Sequence, residues 1–157
     1  MLPSVAYTLA DFLNSGLPSV NSESIRFEHP SFVSAGYPSL NLYLYDIGRS
    51  PQSGRWSASG RLPLAWFNTV FLLTVQEKTQ LGQQRLVTAA FNHCRQHPYL
   101  PNHHLAPALR GHGQLPLQAQ PIGAEAWQGL GVPTQPGLCL TLTVPFEAIR
   151  SALPIMA

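Results

Sequence analysis

The sequence predicts an α+β fold with helices packed on one face of a mainly antiparallel sheet of about four to five strands. Three observations predict it. The runs Leu40–Ile47, Leu64–Val75 and Leu138–Phe146 are long and apolar enough to pair as the core of one sheet. Two stretches with apolar residues at helical spacing, one near the N-terminus and one between the second and third runs, can cover that sheet. The segment order is one helix, several strands, a long helix, a short helix and a last strand, which is not the regular alternation of a parallel α/β fold. No repeat with a period of roughly 20 to 50 residues is visible, which excludes a solenoid.

Pro3 to Leu17 begins with Pro early in the segment, spaces Val5, Leu9, Phe12 and Leu13 as a helix does, and meets a stop at Gly16. Ser24 to His29 alternates Ile25 and Phe27 against Arg26 and Glu28 and ends at Pro30, the pattern of a half-exposed strand at or near a sheet edge. Ser31 to Ser39 connects it to Leu40–Ile47, the clearest strand. Period two puts Leu40, Leu42 and Leu44 on one face, and Asn41, Tyr43, Tyr45 and Ile47 on the other. Gly48 to Gly60 is rich in Gly, Ser, Pro and Gln. It is a long loop, either functional or a mobile hairpin tip.

Leu62 to Val75 is apolar on both faces, with Leu64, Trp66, Val70 and Leu72 on one and Ala65, Phe67, Phe71, Leu73 and Val75 on the other. Such a strand is buried on both sides. Thr79 to His97 carries Leu86, Val87, Ala90, Phe91 and Cys94 at helical spacing before Pro98 and is the strongest helix signal in the chain. Tyr99 to Gly113 holds at most a short helical turn. Leu115 and Leu117 suggest a short strand, and Gly123 to Leu130 a short helix presenting Trp127 and Leu130. The last strand places Leu138, Leu140, Leu142, Val144 and Phe146 on one face, which the helices should cover, and Cys139, Thr141 and Thr143 on the other. The second sheet face lacks a full cover from this chain, and oligomerisation would supply one.

A length of 157 residues fits a single domain, 1–157, that buries about two-thirds of its unfolded surface. Charged residues make up only 10%, against a typical share of about 25%, while 45% are hydrophobic. So few charges point to a surface that is neutral polar or covered by another chain. The formal net charge is +2, from basic residues scattered singly, which is no nucleic-acid footprint. Cys94 and Cys139 could form one disulfide; the expected state is two reduced, buried thiols in a cytosolic protein. No apolar run approaches the roughly 20 residues that span a bilayer, and no leader pattern opens the chain, so no direct membrane insertion is expected.

His93 and His97 stand at i and i+4 of the long helix, a spacing that can chelate zinc, with His103 and His104 nearby. The zincin pattern needs a Glu beside the first His, and here Cys94 and Arg95 follow it, so a bound water would have no activator. The plainer reading makes His97 a helix C-cap and His93 a surface residue, with no metal. Asp46 and Glu147 have no close partner for acid–base work, and Asp46 before Gly48 reads as a turn residue. Neither a nucleophile elbow nor a Gly-rich phosphate loop occurs. No catalytic residue and no cofactor are expected.

The N-terminal amphipathic helix, N-L-Y-L-Y-D-I, P-L-A-W-F-N-T-V-F-L-L-T-V, the helix ending in H-P-Y-L-P and G-V-P-T-Q-P-G-L-C-L-T-L-T-V-P follow one another in order. In that order and spacing they resemble the N-terminal domain of cap or tube-terminator proteins of contractile injection systems. These are the phage-tail-like particles of the antifeeding-prophage and virulence-cassette type. The resemblance covers about Leu2 to Phe146 and implies an α+β subunit similar to phage tail terminators. Such a subunit forms a ring, a hexamer, on the end of the inner tube, stops tube growth and helps anchor the sheath. It also implies inner-tube and sheath proteins as partners and a place in a particle assembled from cytoplasmic protein. The chain departs from the pattern at Gly48, Arg49 and Ser50, at Arg55-Trp56, and at Asn68 and Phe71, where relatives carry other polar or charged groups. No C-terminal extension is expected after Phe146.

The resulting expectation is a non-enzymatic structural protein. Arg49, Arg55 and Trp56 in the long loop are candidate partner-interface residues, because Arg and Trp are enriched among interface hot spots. The alternatives are a small metal-binding enzyme using His93 and His97, and an adaptor that binds a peptide along a sheet edge.

Overall fold

The structure, a computed structural model, describes residues 2–32, 36–50 and 65–145. The three long runs form the middle of one sheet as β2 (Ser39–Arg49), β3 (Trp66–Gln76) and β5 (Gly137–Pro145), with β3 antiparallel to both neighbours. β4 (Leu117–Pro121) pairs antiparallel with β5, and β1 (Ile25–Arg26) pairs parallel with the start of β2. The order is therefore β1-β2-β3-β5-β4, a five-stranded, mostly antiparallel sheet. Leu64 and Phe146, at the outer ends of two predicted strands, lie outside the described residues. β2 runs two residues past the predicted end at Ile47, taking in Gly48 and Arg49.

Register makes the apolar face continuous. Leu40 lies opposite Val75, Leu42 opposite Leu73 and Leu44 opposite Phe71. Phe71 and Leu73 in turn lie opposite Leu140 and Leu138, and directly opposed residues share a face. Beyond Leu44 a bulge at Tyr45 shifts the pairing, so that Asp46 rather than Tyr45 meets Val70.

Two helices cover this face. α1 (Leu2–Gly16) buries Val5, Leu9, Phe12 and Leu13, and α2 (Gln80–Arg95) buries Leu86, Ala90 and Cys94 at successive turns. All of them belong to the same core cluster as the sheet leucines. α2 starts where Thr79 Oγ1 accepts the Gly82 N–H at 2.9 Å, which satisfies one of the unpaired donors of its first turn. The long two-sided strand is buried on both sides over Phe71 to Val75, as its pattern predicts.

α3 (Ala124–Leu130) partly covers the other face. Trp127 and Leu72 are buried but stand apart from the main cluster, and a Cβ on Gly129 would come within 4.0 Å of the Tyr45 hydroxyl. The chain leading into α3 lies tight against the sheet. A Cβ at Gly137 would sit 2.7 Å from Leu73 O and 2.8 Å from Ile122 Cδ1, so only glycine fits there.

The run Ser24–His29 departs from its predicted form. It is a 3-10 turn at Ser22–Ser24 followed by a strand of two residues. The physical reason is Asn41, buried on β2. Its Oδ1 accepts the Glu28 N–H at 2.8 Å and its Nδ2 donates to Glu28 O at 2.7 Å, so a side chain replaces the strand ladder at that point. Phe27, expected to point inward with Ile25, is instead 41% exposed. Among the described residues no helix is long and apolar enough to cross a membrane.

Candidate functional site

The histidines suggested by the sequence gather around Phe12 near the end of α1. The His93 ring stacks on Phe12 at 4.3 Å between centroids, while His97 and His104 meet it edge-on at 5.4 and 5.8 Å. His103 lies against His104, with ring centroids 4.1 Å apart. Each of the three rings around Phe12 commits a nitrogen to the protein itself. His93 Nε2–H donates to Phe12 O at 2.9 Å, His97 Nδ1–H donates to His93 O at 3.0 Å, and His104 Nδ1–H donates to an Asp11 carboxylate oxygen at 2.6 Å. The Phe12 carbonyl also accepts the Ser15 Oγ–H at 2.6 Å, so His93 is its second donor, while the His97 bond occupies a carbonyl in the last turn of α2.

His97 thus caps α2 as predicted, whereas His93 is a half-buried tie between the two helices and not a surface residue. Burial lowers the His93 pKa; the bond to Phe12 O opposes this, and the nearby His97 and His104 rings add to it. Cys94 is buried in the core, where burial pushes its thiol up to about 12. Among the described residues no group of three or more His, Cys, Asp or Glu is placed to hold a metal ion. The arrangement fastens α1 to α2.

Arg49, the predicted interface residue inside the described chain, is the last residue of β2. It is exposed and lies opposite Phe67. Arg55 and Trp56 lie outside the described residues. Pairing continues just past Arg49, since Ser50 N–H donates to Trp66 O at 2.7 Å. Burial falls along β2: Ser39 to Leu42 are buried, whereas Tyr45, Asp46, Ile47 and Arg49 are exposed. The far end of the β2–β3 ribbon is mixed: the outer residues of β2 reach the surface, while Ser50 and Trp66 are buried, Trp66 within the core cluster.

A second surface escaped the sequence reading. Tyr7 on α1 is 64% exposed, and its ring meets Phe27 edge-on at 5.5 Å. Together with Asp11, Asn14, Glu23 and Ile25 they line a groove of about 340 Å³ between α1 and the β1 edge of the sheet. Alternation alone points Phe27 inward, and the sequence signal for the groove is the edge position of its segment.

Residues 4–152 match the model of a family described as the Pvc16 N-terminal domain. Among solved structures, the fold is similar to the sheath/tube terminator of PVC, an extracellular contractile injection system, in its extended state. The TM-score is 0.59 and the identity 19%, over 92% of this chain and 56% of that one. It is likewise similar to the tube-terminating cap of the anti-feeding prophage, with a TM-score of 0.56 and 20% identity over 90% of this chain and 53% of that one. The chain thus spans about half the length of these two structures. No curated protein matches it.

Proposed function

We propose, from the premise that the chain belongs to the Pvc16 N-terminal domain family, that it is a non-enzymatic subunit capping the inner tube of a contractile injection particle. In this reading copies of the chain close into a ring, a hexamer, on the tube end, stop tube growth and anchor the sheath. Residues 1–157 act as one tail-terminator-like domain within that ring. The partners are further copies of the chain, inner-tube protein and sheath protein, with neither nucleic acid nor membrane insertion involved. Synthesis is cytoplasmic, followed by incorporation into the particle.

The observation that carries this reading is the shared fold. Over 92% of its length the chain follows a protein solved as a sheath/tube terminator. Two features of the molecule agree with it. The charged share of 10% is low for a chain surrounded by water, and the sheet face opposite α1 and α2 is covered only in part by α3. The histidine cluster, already engaged in joining helices, offers no competing chemistry.

The test is reconstitution with tube protein. The purified chain should sediment as a closed oligomer or form one on tube ends, and electron micrographs should show tubes of limited length with a density at one end. Tubes that grow equally long with and without the chain would refute the proposal.

A further inference from the structure

We infer that the two edges of the sheet are the two halves of one contact: the β4 edge of one copy of the chain takes the β1 edge of the next, so that the sheet continues from subunit to subunit. This rests on the ring proposed above and names the two patches that close it. A ring of identical subunits needs a heterologous contact, in which one patch on each copy meets a different patch on the next.

The β4 edge is only half occupied. Leu117 N–H donates to Pro98 O at 2.8 Å and Leu100 N–H donates to Leu115 O at 3.0 Å, so the chain leaving α2 fills the outer side of β4 as far as Leu117. Beyond that point the alternation of an antiparallel ladder turns the Gln118 and Gln120 backbone toward β5 and the Ala119 backbone outward. Among the described residues the Ala119 backbone meets no partner on that side. A groove of about 410 Å³ lies there, lined by Cys94, Arg95 and Pro98 together with β4. Arg95 is exposed, its guanidinium 5.8 Å from the centre of the Phe91 ring.

The β1 edge has the complementary character. Tyr7 and Phe27, 64% and 41% exposed, meet edge-on there, and the exposed carboxylates of Asp11 and Glu23 line the same groove. Among the described residues no basic side chain lines the groove at β1, and no acidic one lines the groove at β4.

Strand direction and charge together select a second copy as the occupant. β1 runs with β2 and β5, and β4 runs against them. Rotation about an axis along the strands preserves each strand's direction and keeps α1 and α2 on one side of the sheet. β4 of one copy therefore meets β1 of the next antiparallel, with the helix-covered faces continuous. β1 has only two residues, so the shared ladder is short and side chains carry the rest of the contact. Arg95 faces Asp11 and Glu23 across the joint, and the Tyr7–Phe27 pair is covered.

The experiment uses full-length Glu23→Arg and Arg95→Glu chains, each alone, mixed in equal amounts and combined on one chain, together with Ala119→Pro. Circular dichroism checks the fold, and native mass spectrometry and sedimentation at low salt read the oligomer, free and on tube ends. Each charge variant alone should assemble on the order of tenfold more weakly, because an attraction becomes a like-charge contact. The equal mixture and the doubly substituted chain should both recover assembly, since every contact then pairs opposite charges. Ala119→Pro removes an N–H that the chain's own sheet does not use, so the subunit should stay folded and assemble more weakly, again on the order of tenfold. If that chain does not fold, the charge exchange decides alone. Charge variants that assemble as the wild type does, or that fail to rescue one another, would overturn the contact. So would a folded Ala119→Pro chain that assembles normally. Variants that lose attachment to tube while keeping the free oligomer would assign the β4 edge to tube protein and overturn it as well. A wild-type chain that forms no oligomer, alone or on tube ends, would instead remove the ring reading beneath this inference.

Discussion

Gly16 and His93 illustrate how one contact sets two residue choices. A Cβ on residue 16 would fall 2.3 Å from the His93 ring, which is held on its other side by stacking on Phe12 and by the bond to Phe12 O. Gly16→Ala should therefore destabilise the protein by about 1–3 kcal/mol, the usual range for forcing atoms into a packed site. Combining it with His93→Ala should cost less than the sum of the two single changes, as denaturant unfolding of all three variants would show. The same ring gives a pH dependence. Burial lowers its pKa, so folding favours the neutral ring, and this contribution is complete above the ordinary value of 6.5. It is lost as the pH falls from there through the lowered folded-state value. Stability measured between pH 7 and pH 5 should fall less in His93→Gln than in the wild type. A thiol prediction belongs at this scale as well. Cys94, buried and pushed up to about 12, should label only on unfolding. Cys139 is half-buried, and its thiol is raised by burial and partly offset by a bond to Gln120, so it should label slowly in the native protein. Fast labelling of both at neutral pH would contradict this.

Among the elements, β1 shows where periodicity stops being informative. Alternation over Ser24–His29 is a correct statement about the residues, but whether a ladder forms depends on what the neighbouring strand presents, and here it presents Asn41. Asn41→Ala would leave the Glu28 N–H and C=O without these partners and should cost about 1–3 kcal/mol, with earlier hydrogen exchange in the β1 region than elsewhere in the sheet. Uniform loss of protection across all five strands would show that the clamp is not local. α1, α2 and the three long strands were legible because each has many residues voting for one period. His97 as a cap was legible for a similar reason: its position at the helix end defines which carbonyl it can reach.

At the scale of the molecule, the two sheet faces have different fates. One is sealed by α1 and α2 around a single leucine-rich cluster; the other has α3, with Trp127 buried beside it, and the outer half of β2 is exposed while Trp66 at the same end of β3 is buried. Deleting 51–59, which spares the Ser50–Trp66 pair, should leave the far-ultraviolet circular dichroism and the cooperative unfolding of the chain in place and abolish its oligomer or its attachment to tube ends. A deletion variant that still caps tubes would show that other surfaces make the ring.

Fold class, the three central strands and the two covering helices are set by local composition and period, because burial on one face imprints a repeat on the residues themselves. What only tertiary structure decided is every contact between residues distant in sequence. Phe12 and His93 are 81 residues apart at their hydrogen bond, and Asp11 and His104 are 93 apart. No local pattern encodes that a histidine pair at ligand spacing will meet an α1 carbonyl before it meets a metal. The Tyr7–Phe27 groove has the same origin: each aromatic looks unremarkable in its own segment, and only the packing of α1 beside the β1 edge turns the two into one surface.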